Sequence, residues 1–151
     1  MKYTVLFGRI MFAFIFLTAS LNLFSKATIN FAASAGVQLA PIAVPLSGII
    51  ALLGGLSIAL GYKAKLGTWL LVLFLVPVTF MMHNFWAATN PMTAQIRMVM
   101  FFKNISILGA ALLIANFGSG PFSFDVWLAK RAATKGTEKV YSNASSVSKN
   151  Q

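Results

Sequence analysis

Four long apolar runs dominate this sequence and constrain its fold more than any other feature. They cover approximately Thr4–Leu23, Ile42–Leu60, Leu66–Trp86 and Met98–Phe117. Each run is close to the ~20 residues that an α-helix needs to cross ~30 Å of hydrocarbon. A helix satisfies its backbone hydrogen bonds from within one segment, which lipid requires. The runs therefore predict an all-α, polytopic membrane protein built as a bundle of four transmembrane helices.

The composition excludes several classes of protein. The chain is 58% hydrophobic and 9% charged, whereas soluble domains carry about 25% charged residues. It contains no cysteine, one histidine and two acidic residues. Disulfides, iron–sulfur clusters and cysteine zinc sites are thereby excluded, and a side-chain metal site is not expected. We find no set of residues that would form an autonomous catalytic site, and no covalently bound cofactor is predicted.

The basic residues predict the orientation of the chain. The net charge is +10, but the charges flank the apolar runs and occupy the tail, so no nucleic-acid partner is expected. Basic residues accumulate on the cytoplasmic side of membrane proteins. One side of the predicted bundle carries nine of the twelve lysine and arginine residues. We expect both termini on that side, in the cytoplasm. These nine are Lys2, Arg9, Lys63, Lys65, Lys130, Arg131, Lys135, Lys139 and Lys149.

The chain divides into two parts by composition. Residues 1–128 form the predicted membrane domain, and residues 129–151 form a basic, Ser-rich tail that we expect to be disordered and cytoplasmic. Two side chains near helix ends, Arg9 and Trp127, are predicted to anchor the protein at the membrane interface. For Arg9, contact with a lipid headgroup or another anionic ligand is the alternative.

Polar side chains gather at the opposite, outer ends of the predicted helices. Inserting a charged side chain at the centre of a spanning helix costs ~2.5–3.5 kcal/mol. The ionisable residues that do occur in the spans are therefore candidates for a function. The simpler interpretation of His83 is a packed or interfacial histidine. The predicted nearness of Lys103 and Asn104 favours a ligand pocket instead. Aromatic side chains at Phe80, Phe85, Phe101 and Phe102 would hold the apolar body of a quinone or a lipid-like ligand. The predicted ligand-binding residues are Asn22, His83, Asn84, Trp86, Arg97, Lys103 and Asn104.

The second apolar run carries small residues at helical spacing. Ala51, Gly55 and Ala59 recur every fourth residue, and such a face lets helix backbones approach closely. We expect it to meet the small residues at positions 109–111 of the fourth helix. A homo-oligomer seam is the alternative.

Several segments in order along residues 4–128 resemble the DoxX family of small four-helix membrane proteins. The segments are Gly8-Arg9-Ile10, Ala33-Ser34-Ala35-Gly36-Val37, Leu52-Leu53-Gly54-Gly55, His83-Asn84-Phe85-Trp86, Phe102-Lys103-Asn104-Ile105 and Phe122-Ser123-Phe124-Asp125. The resemblance implies a bacterial inner-membrane protein associated with quinone or with a redox complex. The chain departs from the family pattern at Ala51, where many members carry an acid, and at Leu23, where many carry a lysine.

Three functions follow in order of preference. The first is an accessory membrane subunit of a quinone-linked or other redox system, with a redox protein complex as partner and a quinone or lipid-like ligand in the outer half of the bundle. The alternative is a non-catalytic scaffold or assembly factor. A small-solute transporter ranks third, because no charged pathway spans the predicted bundle.

The predicted orientation can be tested with reporters fused after Gln151. We expect green fluorescent protein to fluoresce there and alkaline phosphatase to be inactive, because the positive-inside rule places the tail in the cytoplasm. The reverse pattern would contradict the orientation, and fusions in the predicted joint Ala87–Arg97 provide the opposite-side control.

Overall fold

The structure is a computed structural model that describes residues 2–148, with side chains described for residues 3–137. Every regular element within that range is helical, and a single 3-10 turn covers Phe85–Ala87. Four of the helices, α1, α3, α4 and α5, are long and apolar enough to cross a membrane. The predicted all-α, four-span fold is therefore confirmed. The helices are α1 (Lys2–Asn22), α2 (Lys26–Ser34), α3 (Ala40–Leu60), α4 (Ala64–Met82), α5 (Pro91–Phe117) and α6 (Phe124–Ser148).

Local capping residues account for where α2 and α5 begin. The Ser25 side chain accepts a hydrogen bond from the Thr28 amide at 3.2 Å and starts α2 in the joint after α1. The Asn90 side chain likewise accepts from the Met92 amide at 2.8 Å, and Pro91 occupies the first turn of α5. Both are favoured N-terminal arrangements. Helix α5 consequently begins seven residues before the predicted Met98, because Asn90 and Pro91 cap a helix rather than only ending a turn.

Helix α6 continues across the predicted domain boundary. The sequence predicts disorder from residue 129, whereas α6 runs without interruption from Phe124 to Ser148. Residues 149–151 of the predicted tail lie outside the described residues. The division of the chain at 128 and 129 stays a prediction.

Helix α3 lies between α1 and α4 and packs on both. A Cβ atom placed on Gly55 would lie 3.1 Å from a Leu17 methyl group of α1. One placed on Gly54 would lie 2.6 Å from a Leu71 methyl group of α4. Small residues therefore let α3 approach two neighbours, since lipid supplies no hydrophobic drive for helix association. Helix α5 packs mainly on α4, so the expected contact of this face with residues 109–111 of the fourth spanning helix is not one of the main helix contacts.

The turn between α3 and α4 depends on one glycine. Gly61 is buried and ends α3 with φ +66°. A Cβ there would lie 2.5 Å from the Ser123 Cβ and 2.6 Å from Nη1 of Arg9. The backbone of this turn is thus in direct contact with both α1 and the segment before α6.

We expect Gly61→Ala to lower the free energy of unfolding by about 2 kcal/mol, because alanine resists the left-handed conformation and would crowd two neighbours. Denaturant titration in mixed micelles, followed by tryptophan fluorescence, measures the change. Gly109→Ala is the control: a Cβ there meets nothing within 4 Å, so its stability should be equal or higher by up to about 1 kcal/mol. Equal stabilities of the two variants would contradict this account of the turn.

Candidate functional site

Helix α2 covers an apolar cavity at one end of the bundle. The cavity has a volume of about 320 Å³ and lies between α2, the end of α1, and facing surfaces of α3 and α4. Ligand pockets usually range from ~300 to ~1,000 Å³ and are mainly apolar. Among the side chains that line this one are Leu23, Phe31, Val44, Phe74, Met82 and His83.

The local chain path puts α2 over this space. The Ser25 cap starts α2, and a turn at residues 35–39 reverses the chain into α3. The returning helix brings Ala40 and Val44 against Ala32, and the three form a small buried cluster. This cluster attaches α2 to α3 along one edge and leaves the cavity beside it.

Three lining residues have polar side chains, and two of these are already engaged. The Ser47 hydroxyl donates to the Val44 carbonyl at 2.7 Å, and the Thr28 hydroxyl shares a hydrogen bond of 2.9 Å with Ser25. The third is His83, half-buried at the end of α4. His83 is therefore the one titratable side chain on the cavity wall, and its imidazole can donate or accept a hydrogen bond.

Asn84 and Arg97 are joined by a direct hydrogen bond. Nη1 of Arg97 donates to the Asn84 Oδ1 atom at 2.8 Å. Both side chains are half-buried, and the bond ties the segment after α4 to the first turns of α5. It therefore holds the residue next to His83 in position.

Five aromatic rings fill the space between the end of α4 and α5. Phe101 lies at the centre, with its ring centroid 5.5 Å from Phe80, 5.6 Å from Phe85 and 5.8 Å from Trp86. Phe102 is 5.7 Å from Phe101. The rings contact one another edge to face, which stabilises such clusters. The five rings pack together and none of them lines the α2 cavity. That the phenylalanines hold the apolar body of a ligand stays a prediction.

The remaining predicted ligand residues lie in different surroundings. Lys103 is exposed, with its Nζ 3.4 Å from the Met100 sulfur on the same helix, and it is near enough for its charge to act on His83. Asn104 is 5% exposed inside the bundle. Asn22 is exposed and donates to the Thr18 carbonyl of its own helix at 3.4 Å. The structure thus groups His83, Asn84 and Arg97 at one end. A role in ligand binding stays a prediction for each of the seven residues, Trp86 included.

A second polar group lies at the other end of the bundle. Arg9 is 5% exposed, and its guanidinium donates to the carbonyls of Ser119 and Phe122 in the segment between α5 and α6. Asp125 Oδ1 accepts from the Lys63 amide at 3.0 Å, and Oδ2 accepts from the Ser119 hydroxyl at 3.1 Å. The Arg9 guanidinium is therefore held by backbone carbonyls of the protein, and its role as an interfacial anchor stays a prediction.

Sequence reasoning missed the role of Asp125. The useful signal was its rarity, as it is one of two acidic residues in the chain. The other predicted anchor, Trp127, is 44% exposed. Its ring centroid lies 5.0 Å from that of Phe124 and 4.1 Å from the guanidinium carbon of Arg131. Its interfacial role stays a prediction.

We expect Asp125→Ala to lower the free energy of unfolding by about 2 kcal/mol, because the Lys63 amide and Ser119 hydroxyl lose a charged acceptor. Asp125→Asn keeps one acceptor oxygen and should cost less than half as much. Denaturant titration in mixed micelles measures both. Equal losses in the two variants would show that the hydrogen bonds to Asp125 contribute little.

The described residues contain no group of three His, Cys, Asp or Glu side chains that could hold a metal ion.

The chain is 31% identical over 77 residues to the ER-derived vesicles protein ERV29 of Saccharomyces cerevisiae. The matched region covers 51% of this chain and 24% of that protein. It is 28% identical over 98 residues to Inner membrane protein YphA of Escherichia coli, covering 65% of this chain and 69% of YphA. The chain thus spans about a quarter of ERV29. No solved structure matches it.

The family model that matches corrects the resemblance drawn from the sequence. It describes the SURF4 family and covers residues 1–130, so the assignment to DoxX is wrong. The protein is a multi-pass membrane protein, and it belongs to the SURF4 family.

Proposed function

We propose that this protein binds a lipid-like molecule in the cavity beneath α2, with an apolar chain inside and a polar end against His83. The single observation that carries the proposal is the cavity itself, about 320 Å³ in volume and closed on one side by a short helix. Because its lining is nearly all apolar, an apolar chain would gain contact there without leaving polar groups unpaired.

The position of His83 supports the direction in which the ligand would lie. The imidazole is at the end of α4 beside α2, while Phe74 lies about two turns earlier in α4 along the same wall. A molecule with one polar end would place that end at the imidazole and its chain toward Phe74. The bond between Arg97 and Asn84, the neighbour of His83, would stabilise this arrangement.

A role as an accessory subunit of a redox system is no longer supported for this protein. It came from the resemblance to DoxX, which the SURF4 match overturns. Neither relative carries a redox function in its name. The similarity to YphA, named as an inner membrane protein, supports location in a bacterial inner membrane.

One observation favours the scaffold as a second candidate. Of the residues of α5, only Asn104 and Ala111 are buried, so most of this long helix faces away from the bundle. A partner helix could pack there. Crosslinking from positions such as Val99 in native membranes would trap a partner protein if this candidate is correct, and lipid alone if it is not.

Lipid binding can be measured on the purified full chain held in amphipol, with 11-(dansylamino)undecanoic acid as the fluorescent probe. We expect saturable enhancement of the probe, reversed by unlabelled lauric acid. Ala43→Phe would fill the cavity and should weaken binding about tenfold or more. His83→Ala removes one hydrogen-bonding group and should weaken binding by about three- to tenfold.

The matched control is Ile49→Phe, a substitution on the same helix at a side chain that faces away from the bundle and is 45% exposed. It should bind the probe as the parent chain does. Binding that does not saturate, or equal binding by the Ala43 and Ile49 variants, would rule out the cavity as the site.

A further inference from the structure

A groove separates α1 from α5 at the end of the bundle opposite the α2 cavity. Helix α1 packs on α3, α3 on α4, and α4 on α5, which leaves α1 and α5 facing each other across a gap. The gap has a volume of about 270 Å³. Its walls are apolar along most of their length, with Gly8 and Phe12 on one side and Leu113 and Ile114 on the other.

One end of the groove is closed by a buried cation. Arg9 lines the groove and is 5% exposed. Two of its nitrogens donate to neutral carbonyls, those of Ser119 and Phe122, and its Nε atom is buried without a hydrogen-bond partner in the described part of the chain. The negative charge of Asp125 stabilises the guanidinium from nearby, but its two oxygens accept hydrogen bonds from other groups, the Lys63 amide and the Ser119 hydroxyl. The buried Nε donor of Arg9 therefore still lacks an acceptor, and a buried donor without one is unfavourable.

A second cation stands at the rim of the same groove. A Cβ placed on Gly118 would lie 3.5 Å from Cε of Lys65, so the lysine side chain runs beside the segment that ends α5. Gly118 and Ser119 line both the groove and the shallow depression that contains Lys65, and Asp125 lines the depression but not the groove. An anion bound at the end of the groove would therefore come within reach of both Lys65 and Arg9.

We propose that this groove binds one acyl chain of an anionic phospholipid, with the lipid phosphate between Arg9 and Lys65. The two cations select a negatively charged headgroup, and guanidinium and ammonium groups are the usual partners of phosphate. The apolar walls select a lipid over a free phosphate ion, because a small anion would leave the groove unfilled. The site lies at the opposite end from the α2 cavity and does not depend on the function proposed for it.

Native mass spectrometry of the full chain tests the proposal. The protein is exchanged into micelles that contain equal amounts of phosphatidylglycerol and phosphatidylcholine, and the lipids retained per chain are counted. We expect phosphatidylglycerol to exceed phosphatidylcholine by about fivefold or more, and Lys65→Gln to reduce that preference by about fivefold. Lys65 is exposed, so this variant should fold normally.

Two matched glycine variants test the groove. A Cβ on Gly8 or on Gly109 meets nothing within 4 Å, so a leucine fits at either position without a clash at its Cβ. Gly8→Leu would occupy the groove and should reduce retained phosphatidylglycerol by about tenfold. Gly109 does not line the groove, and Gly109→Leu should retain lipid as the parent chain does.

Three results would overturn the proposal. Equal retention of the two lipids would remove the anionic selectivity, and equal behaviour of the two leucine variants would remove the groove. Displacement of phosphatidylglycerol by inorganic phosphate alone, unaffected by Gly8→Leu, would assign the two cations to a free anion.

Discussion

Close contact at α3 is the interaction on which the rest of the structure depends. Lipid is as apolar as a leucine side chain, so spanning helices associate through packing and hydrogen bonding. Adjacent glycines, Gly54 and Gly55, allow α3 to meet α4 on one side and α1 on the other. The main buried cluster, which includes Ala51, Ile58 and Leu71, forms along these two contacts. Helix α5 adds to one side only, and the groove beside α1 is the consequence.

The two ends of the bundle are chemically different. At the end that holds α2, the chain encloses an apolar cavity with His83 on its wall. At the other end, loops converge on Arg9 and Asp125, and backbone groups satisfy much of their hydrogen-bonding capacity. Rigid packing in the middle keeps these ends apart. The two binding sites that we propose therefore lie at separate ends of the bundle.

The sequence predicted at which end of the bundle the polar side chains lie, but not which face of each helix they occupy. His83, Asn84 and Arg97 do come together, because they flank one short connection between neighbouring helices. Lys103 and Asn104 are adjacent in sequence, yet one is exposed and the other buried, since successive residues on a helix point about 100° apart. The rotation of a spanning helix depends on its neighbours. A hydropathy pattern that is apolar on all sides carries little information about that rotation.

The sequence by itself determined that the chain is helical, that it has four spans and where most of them end. Those properties follow from local causes: the length of each apolar run and the hydrogen bonding that hydrocarbon demands. Only the tertiary structure decided that Arg9 meets carbonyls more than a hundred residues away, and that α2 folds back over a cavity. Such contacts join segments that are remote in the chain, and no local pattern records which small-residue face will meet which helix.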